Sequence, residues 1–221
     1  MSSHYLSSYE SVPGDGSDDW TPSDRAAARH TEDVLAEKTR SLRVINRLGL
    51  LLLKESSLDE VLWLVAKSAI AELGFDDCVV YLLDEERNVL VQKAAIGAKN
   101  PVAHEILDPI LIPVGKGIVG RVAQTGKPEN IRDTRAHSSY IVDDDARLSE
   151  LAVPIIHDGR VIGVIDSEHP ETDFYSDDDC ELLTTIASMA STKIANAMTI
   201  ERLNRTILQL KQTRDALRQG E

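Results

Sequence analysis

From Arg25 onward apolar residues recur at three- and four-residue steps: Val34, Leu35, Leu42, Ile45, Leu48, Leu52 and Leu53. That spacing lies along one face of a helix, and it predicts a long amphipathic helix from a capping Asp24 to about Glu55. Ser56 and Ser57 interrupt it. Leu58, Val61, Leu62, Val65, Ala69 and Leu73 then predict a second helix ending at Gly74. Beyond it the period changes. Cys78-Val79-Val80-Tyr81-Leu82-Leu83 is a short apolar run that reads as a buried strand, and a polar turn over 84–88 returns it into 89–96. The two predict an antiparallel hairpin. Residues 106–114 predict another extended segment, broken by Pro109 and Pro113, and 118–124 a short helix stopped by Gly126 and Pro128. Short extended pieces alternate with polar loop from 129 to 157.

Residues 153–156 and 161–165 flank His157-Asp158-Gly159-Arg160, and an Asp-Gly pair there fits a two-residue type I′ hairpin turn. Ser176 can cap a last helix, with Asp177, Asp178 and Asp179 at the positive end of its dipole; Ser176 and Asp179 approximate a capping box. No breaker follows until Gly220. Ile200, Leu203, Ile207, Leu210 and Leu217 keep a three-four spacing, interrupted by Arg214, which favours a left-handed coiled coil. Such a helix is about 60 Å long at 1.5 Å per residue. Its overhang must bury the seam, and an identical partner is the simplest candidate. The expected organisation is a disordered tail (1–23), a helix (24–55), an α+β domain (56–198) and a coiled-coil extension (199–221).

Charge and composition narrow the function. The chain of 221 residues carries a formal net charge of −13, which repels phosphate backbones and argues against nucleic-acid binding. The longest apolar run, 48–53, is far too short to span a bilayer, so no membrane insertion is expected. The first 25 residues lack the basic start and apolar stretch of a signal peptide. Cys78 and Cys180 stand far apart with no CxxC pair, which points to a reducing cytoplasm and no disulfide framework.

Motifs for chemistry are sparse. Gly115-Lys116-Gly117-Ile118-Val119-Gly120 has GxGxxG spacing, but the short helix and missing parallel strand argue against a dinucleotide site. The glycines read instead as a tight turn and close packing, leaving a helix N-terminus that can receive an anionic group. Neither Asp143 to Asp145 nor Asp177 to Asp179 follows a calcium loop, and the six histidines are scattered, so no metal is expected. No Ser or Cys sits in a nucleophile elbow. Cys78 reads as a core residue.

Several segments together resemble the GAF domain family. Ile112-Pro113-Val114-Gly115-Lys116-Gly117-Ile118-Val119-Gly120-Arg121-Val122-Ala123 is similar to the start of that family's pocket-side helix, as is Thr125-Gly126-Lys127-Pro128 with Ile131-Arg132-Asp133. Leu151-Ala152-Val153-Pro154-Ile155 and Gly159-Arg160-Val161-Ile162-Gly163-Val164-Ile165 look like its central hairpin. Phe174-Tyr175-Ser176-Asp177 and Leu182-Leu183-Thr184-Thr185-Ile186-Ala187 resemble its closing helix. The match runs from about residue 40 to 198.

The resemblance implies a six-stranded antiparallel sheet with helices on both faces and a small-molecule cavity under the short helices. Long terminal helices would form a homodimeric bundle. Carried over by position, the ligand-binding candidates are Ile96, Ile118, Val119, Arg132, Asp133, His137, Tyr140, Glu150, Ala152 and Asp166. Ile118, Val119 and Ala152 would supply apolar walls, Tyr140 a stacking face, and Arg132 with Asp133 polar anchors, unless those two pair with one another. Cyclic-nucleotide-binding members carry Asn-Lys where this chain has His169-Pro170, and bilin-binding members a Cys where Ala136 precedes His137. Covalent bilin is therefore not expected, nor is any other cofactor. The expectation is a non-enzymatic, cytoplasmic sensory module of two-component-like signalling, with an unknown ligand and a downstream kinase or cyclase effector. The alternatives are a ligand-free adaptor and a free methionine sulfoxide reductase, whose clustered cysteines Cys78 and Cys180 do not reproduce.

Overall fold

The computed structural model describes residues 21–55, 57–97, 105–137, 140–141 and 146–219. The predicted tail up to residue 20, Ser138 and the Asp143 to Asp145 cluster lie outside them. Two compact units divide the chain, Met1–Arg43 and Val44–Glu221.

Helix α1 spans Pro22–Leu52 and starts ahead of the expected Arg25. Thr21 is the cap: its N–H donates to Asp24 Oδ2 at 3.0 Å, and the Asp24 N–H donates to Thr21 Oγ1 at 3.2 Å. Asp24 thus closes a reciprocal box from inside the first turn, with Pro22 at a position that needs no N–H. In the first unit Val34, Leu35 and Leu42 are exposed. In the second, Val44, Leu48 and Leu52 are buried. Helix α2, Leu58–Ser68, opens on a full capping box between Ser57 and Glu60. A π turn over Ala69–Leu73 ends it at Gly74, whose φ of +77° suits the left-handed region that glycine favours.

Six strands follow: β1 Cys78–Asp84, β2 Val89–Ile96, β3 Leu111–Pro113, β4 Glu129–Ile131, β5 Ser149–His157 and β6 Arg160–His169. They form one sheet in the order β3-β2-β1-β6-β5-β4, with every pairing antiparallel. The β5–β6 turn has positive φ at both Asp158 (+49°) and Gly159 (+75°), as a type I′ turn requires. The extended segment expected over 106–114 pairs only at 111–113, opposite Val89 to Val91. Pro113 has no N–H for a ladder, which suits the edge of a sheet.

The strands alternate their side chains across the sheet. Cys78, Val80, Leu82, Ala94, Leu151, Val153, Ile155 and Ile165 face α2 and the first half of α4, Asp177–Gln219, where Leu183, Ile186, Ala190 and Ile194 are fully buried. Val79, Tyr81, Leu90, Ala152 and Val164 face the other way, onto Ile118, Val119 and Val122 of α3, Gly117–Thr125. A Cβ on Gly120 would lie 2.4 Å from the Pro113 carbonyl oxygen, so the last glycine of the GxGxxG spacing serves close packing of α3 on β3.

α4 opens on the expected Ser176–Asp179 box, with Ser176 Oγ 2.7 Å from Asp179 Oδ2 and the Asp179 N–H donating to Ser176 Oγ at 3.1 Å. Past Met198 its apolar row stands in the open: Ile200, Leu203, Ile207, Leu210 and Leu217 are each 49–69% exposed. Among the described residues no helix is long and apolar enough to cross a membrane.

Candidate functional site

Between the sheet and α3 lies a cavity of about 120 Å³, close to the roughly 150 Å³ that admits a benzene ring. Its walls are apolar: Ile110 to Pro113 on one side, Gly117, Ile118 and Val119 of α3 on another, with Ile141 and Tyr81. Its floor is acidic. Glu150 on β5 and Asp166 and Glu168 on β6 line it, and each is 2–4% exposed.

The strand ladder creates this floor. Glu150 and Glu168 are direct partners across β5–β6, and Asp166 stands two residues from Glu168 on the same face, opposite Ala152. Like charges directly opposite on a sheet are unfavourable, and burying carboxyl groups costs more. Among the described residues no basic side chain lines the cavity. Three buried carboxyl groups gathered in one pocket make it the candidate functional site.

Polar groups around the floor are organised by the segment after β4. The Tyr140 phenol accepts the Arg147 N–H at 2.9 Å and hydrogen-bonds Glu168. Burial drives the Tyr140 pKa well above the ordinary phenol value and the Glu168 charge adds to it, while the Arg147 N–H works the other way. Arg121 of α3 lies close enough to feel the Glu150 charge. Its Nε donates to Glu129 at 2.8 Å, its Nη2 also contacts Glu129, and the same Nη2 lies 3.1 Å from His137 Nε2. A guanidinium has only donors, so His137 Nε2 is the acceptor in this contact. The Glu129 hydrogen bond chiefly holds the Arg121 pKa above its ordinary value, and the charges of Glu129 and Glu150 contribute further.

Of the residues expected at the site, Ile118, Val119, Glu150 and Asp166 line the cavity. Tyr140 and His137 stand around it through Glu168 and Arg121. Ala152 is buried on the pocket face without lining the cavity. Ile96 lies on the opposite face, because it pairs with Cys78 and shares its side of the sheet. Arg132 and Asp133 are not cavity anchors and do not pair with each other. Arg132 bonds Asp173 and Asp177, the latter at 3.1 Å, and so ties β4 to the start of α4. Asp133 bonds Arg135 at 2.8 Å and caps a 3-10 turn over Thr134–Ala136. Glu168, Tyr81 and the 110–113 wall were not anticipated. Glu168 had a signal: two acids at i and i+2 directly after the apolar run of residues 161–165.

Neither cysteine reaches the cavity. Cys78 is buried on the helix side of β1, and Cys180 is half-buried in the first turn of α4, where burial pushes its thiol pKa up. The chain has no other cysteine. The start of α3, Gly117 to Val119, lines the cavity, and Lys116 provides no side-chain cap there. The site can therefore hold a small molecule with an apolar body and hydrogen-bonding groups that suit buried carboxyls.

The GAF domain family model matches residues 55–195. Protein YtsP of Bacillus subtilis is 34% identical over 86 residues, 39% of this chain and 53% of that protein. The free methionine-R-sulfoxide reductase of Saccharomyces cerevisiae is 32% identical over 80 residues, 36% of this chain and 44% of the enzyme. The chain thus spans about half the length of the curated relatives it matches. Among solved structures, the free methionine-R-sulfoxide reductase of Neisseria meningitidis, in complex with its substrate, superposes with a TM-score of 0.64 at 22% identity. That match covers 72% of this chain and 91% of that one. These findings overturn the expectation of a non-enzymatic sensory module: relatives at 29–32% identity are named as reductases, and the enzymatic alternative is the better supported. The family model covers well over half of the sequence, and the chain belongs to the GAF domain family.

Proposed function

We propose that the cavity takes a free methionine sulfoxide and that the chain promotes its reduction to the sulfide. The observation that carries this reading is the acidic floor under apolar walls. A sulfoxide offers a short apolar chain and a strongly polar S–O oxygen, and the oxygen needs a hydrogen-bond donor. Two carboxyl groups facing each other across a ladder can share a proton, and the direct pairing of Glu150 with Glu168 supports that reading. A second carboxylate remains for the substrate ammonium. The named reductase relatives support the same substrate class.

The reduction consumes two thiols: sulfoxide plus two thiols gives sulfide, one disulfide and water. A thiolate sulfur attacks the sulfoxide sulfur and the S–O bond breaks. The oxygen leaves as water, taking one proton from the carboxyl pair and one from the attacking thiol. A second thiolate attacks the sulfur of the first and releases the sulfide, and its proton returns to the carboxylate. Cys78 and Cys180 lie away from the cavity, so both thiols come from a dithiol donor in solution.

The test is formation of free methionine from its R-sulfoxide with dithiothreitol as donor. Glu168→Gln and Glu150→Gln each lower the rate about 100-fold, the usual contribution of a positioned acid. A Cys78→Ser, Cys180→Ser double variant keeps the rate. Methionine formation no faster than with dithiothreitol alone defeats the reading. Assembly belongs to the same proposal: the exposed row Ile200, Leu203, Ile207, Leu210 and Leu217 supports a homodimer closed along the α4 extension.

A further inference from the structure

Asp166 and Glu168 stand on β6 on either side of Ser167, whose side chain points to the opposite face. β1 pairs with β6 as far as Val79 opposite Asp166, and there the ladder stops. Continuing the register places Asp77 opposite Glu168. Its side chain does the pairing: the Glu168 N–H donates to Asp77 Oδ1 at 2.7 Å. Ser167 Oγ donates to the Asp77 carbonyl oxygen at 2.7 Å and lies 2.8 Å from the Tyr175 hydroxyl, which takes the donor role that Ser167 has already used. All three residues are buried, at 3%, 0% and 1% exposure. Tyr175 is held in turn, since Asn130 Nδ2 donates to its carbonyl at 3.0 Å and Phe75 meets its ring edge-on at 5.0 Å.

A plain ladder would satisfy the Glu168 N–H with a backbone carbonyl. A buried carboxylate there is costlier to desolvate, and it pins the one stretch of β6 that carries two of the three floor acids. We infer that Asp77 and Tyr175 are positioning residues for the acidic floor: from the helix side of the sheet they fix the main chain at Ser167 and Glu168, which keeps Asp166 and Glu168 over the cavity. The consequence for binding rests on the reductase reading; the positioning itself does not.

The experiment uses the full chain with Asp77→Ala, Asp77→Asn and Tyr175→Phe. Calorimetry measures affinity for methionine-R-sulfoxide and for methionine, which lacks the oxygen. Asp77→Ala and Tyr175→Phe weaken sulfoxide binding about tenfold, the worth of one buried hydrogen bond. Methionine, which shares the ammonium contact but lacks the oxygen, weakens less than the sulfoxide. Asp77→Asn keeps an acceptor for the Glu168 N–H and recovers most of the sulfoxide affinity. A loss equal for both ligands, or no loss, overturns the inference. Tyr175→Phe decides alone if Asp77→Ala does not fold. If the unmodified chain binds neither ligand, the reductase reading fails by itself, and NMR on the ligand-free protein decides the inference. Faster Glu168 amide exchange, with displaced Asp166 and Glu168 carboxyl signals, then upholds it. Unchanged exchange and carboxyl signals overturn it.

Discussion

Replacing Glu168 by Gln should move stability and activity in opposite directions. Glu168 is 3% exposed and faces Glu150 directly across the β5–β6 ladder. At pH 7 the pair must either face two like charges across the ladder or hold a proton that the unfolded chain would release, and a neutral amide of the same shape avoids both costs. The amide oxygen can still accept the Tyr140 phenol, so the hydrogen bond noted there survives. The net gain at pH 7 is about 1 kcal/mol, which for a domain of this size raises the melting temperature by roughly 2–4 °C. The variant loses the shared proton, and with it about 100-fold in rate of sulfoxide reduction. Differential scanning calorimetry and a methionine-release assay on the same preparation read both quantities. A lower melting temperature with unchanged activity would refute the reasoning, because it would make Glu168 an ordinary structural acid.

Three further outcomes follow from the geometry. A Cβ on Gly163 would lie 2.3 Å from the Tyr81 carbonyl oxygen, so Gly163→Ala forces β1 and β6 apart; the expected loss is about 1–3 kcal/mol in a denaturant titration. Leu203→Asp or Leu210→Asp places a charge in the exposed row of α4, and light scattering should show the proposed homodimer weakened; two intact dimers would remove the seam. Burial raises the Tyr175 phenol above its ordinary 10.0, with the nearby Asp77 and Asp166 charges adding to the shift. A raised folded-state pKa contributes stability that is present below about pH 10 and lost as pH rises above it. Melting temperature should therefore fall more steeply above pH 10 in the native chain than in Tyr175→Phe.

Local chemistry made much of the fold legible in the sequence. The Ser176 box, the Asp158-Gly159 turn and the three-four rows of the helices each depend on residues within a few positions of one another. The α1 cap was misassigned to Asp24 alone because a reciprocal box has two members, and the outer one, Thr21, was overlooked. The absence of a nucleophile motif suggested a chain without catalysis, and comparison with reductase relatives corrected that.

Tertiary structure decided the site, because the site is made by pairings between distant residues. Counting by twos along β2 from Gln92 would put Ile96 on the pocket face. The bulge that passes over Lys93 reverses that parity and sends Ile96 to the helix side with Cys78. Arg132 finds Asp173 and Asp177 only because β4 and the start of α4 meet in space. The acidic floor exists because one register of β5 on β6 sets Glu150 against Glu168, and a slip of a single residue would turn either acid to the other face. Periodicity and caps in the sequence determined which elements form, since their energetics are local. Which side chains share a cavity was left to strand register and bulges, and only the assembled sheet settles those.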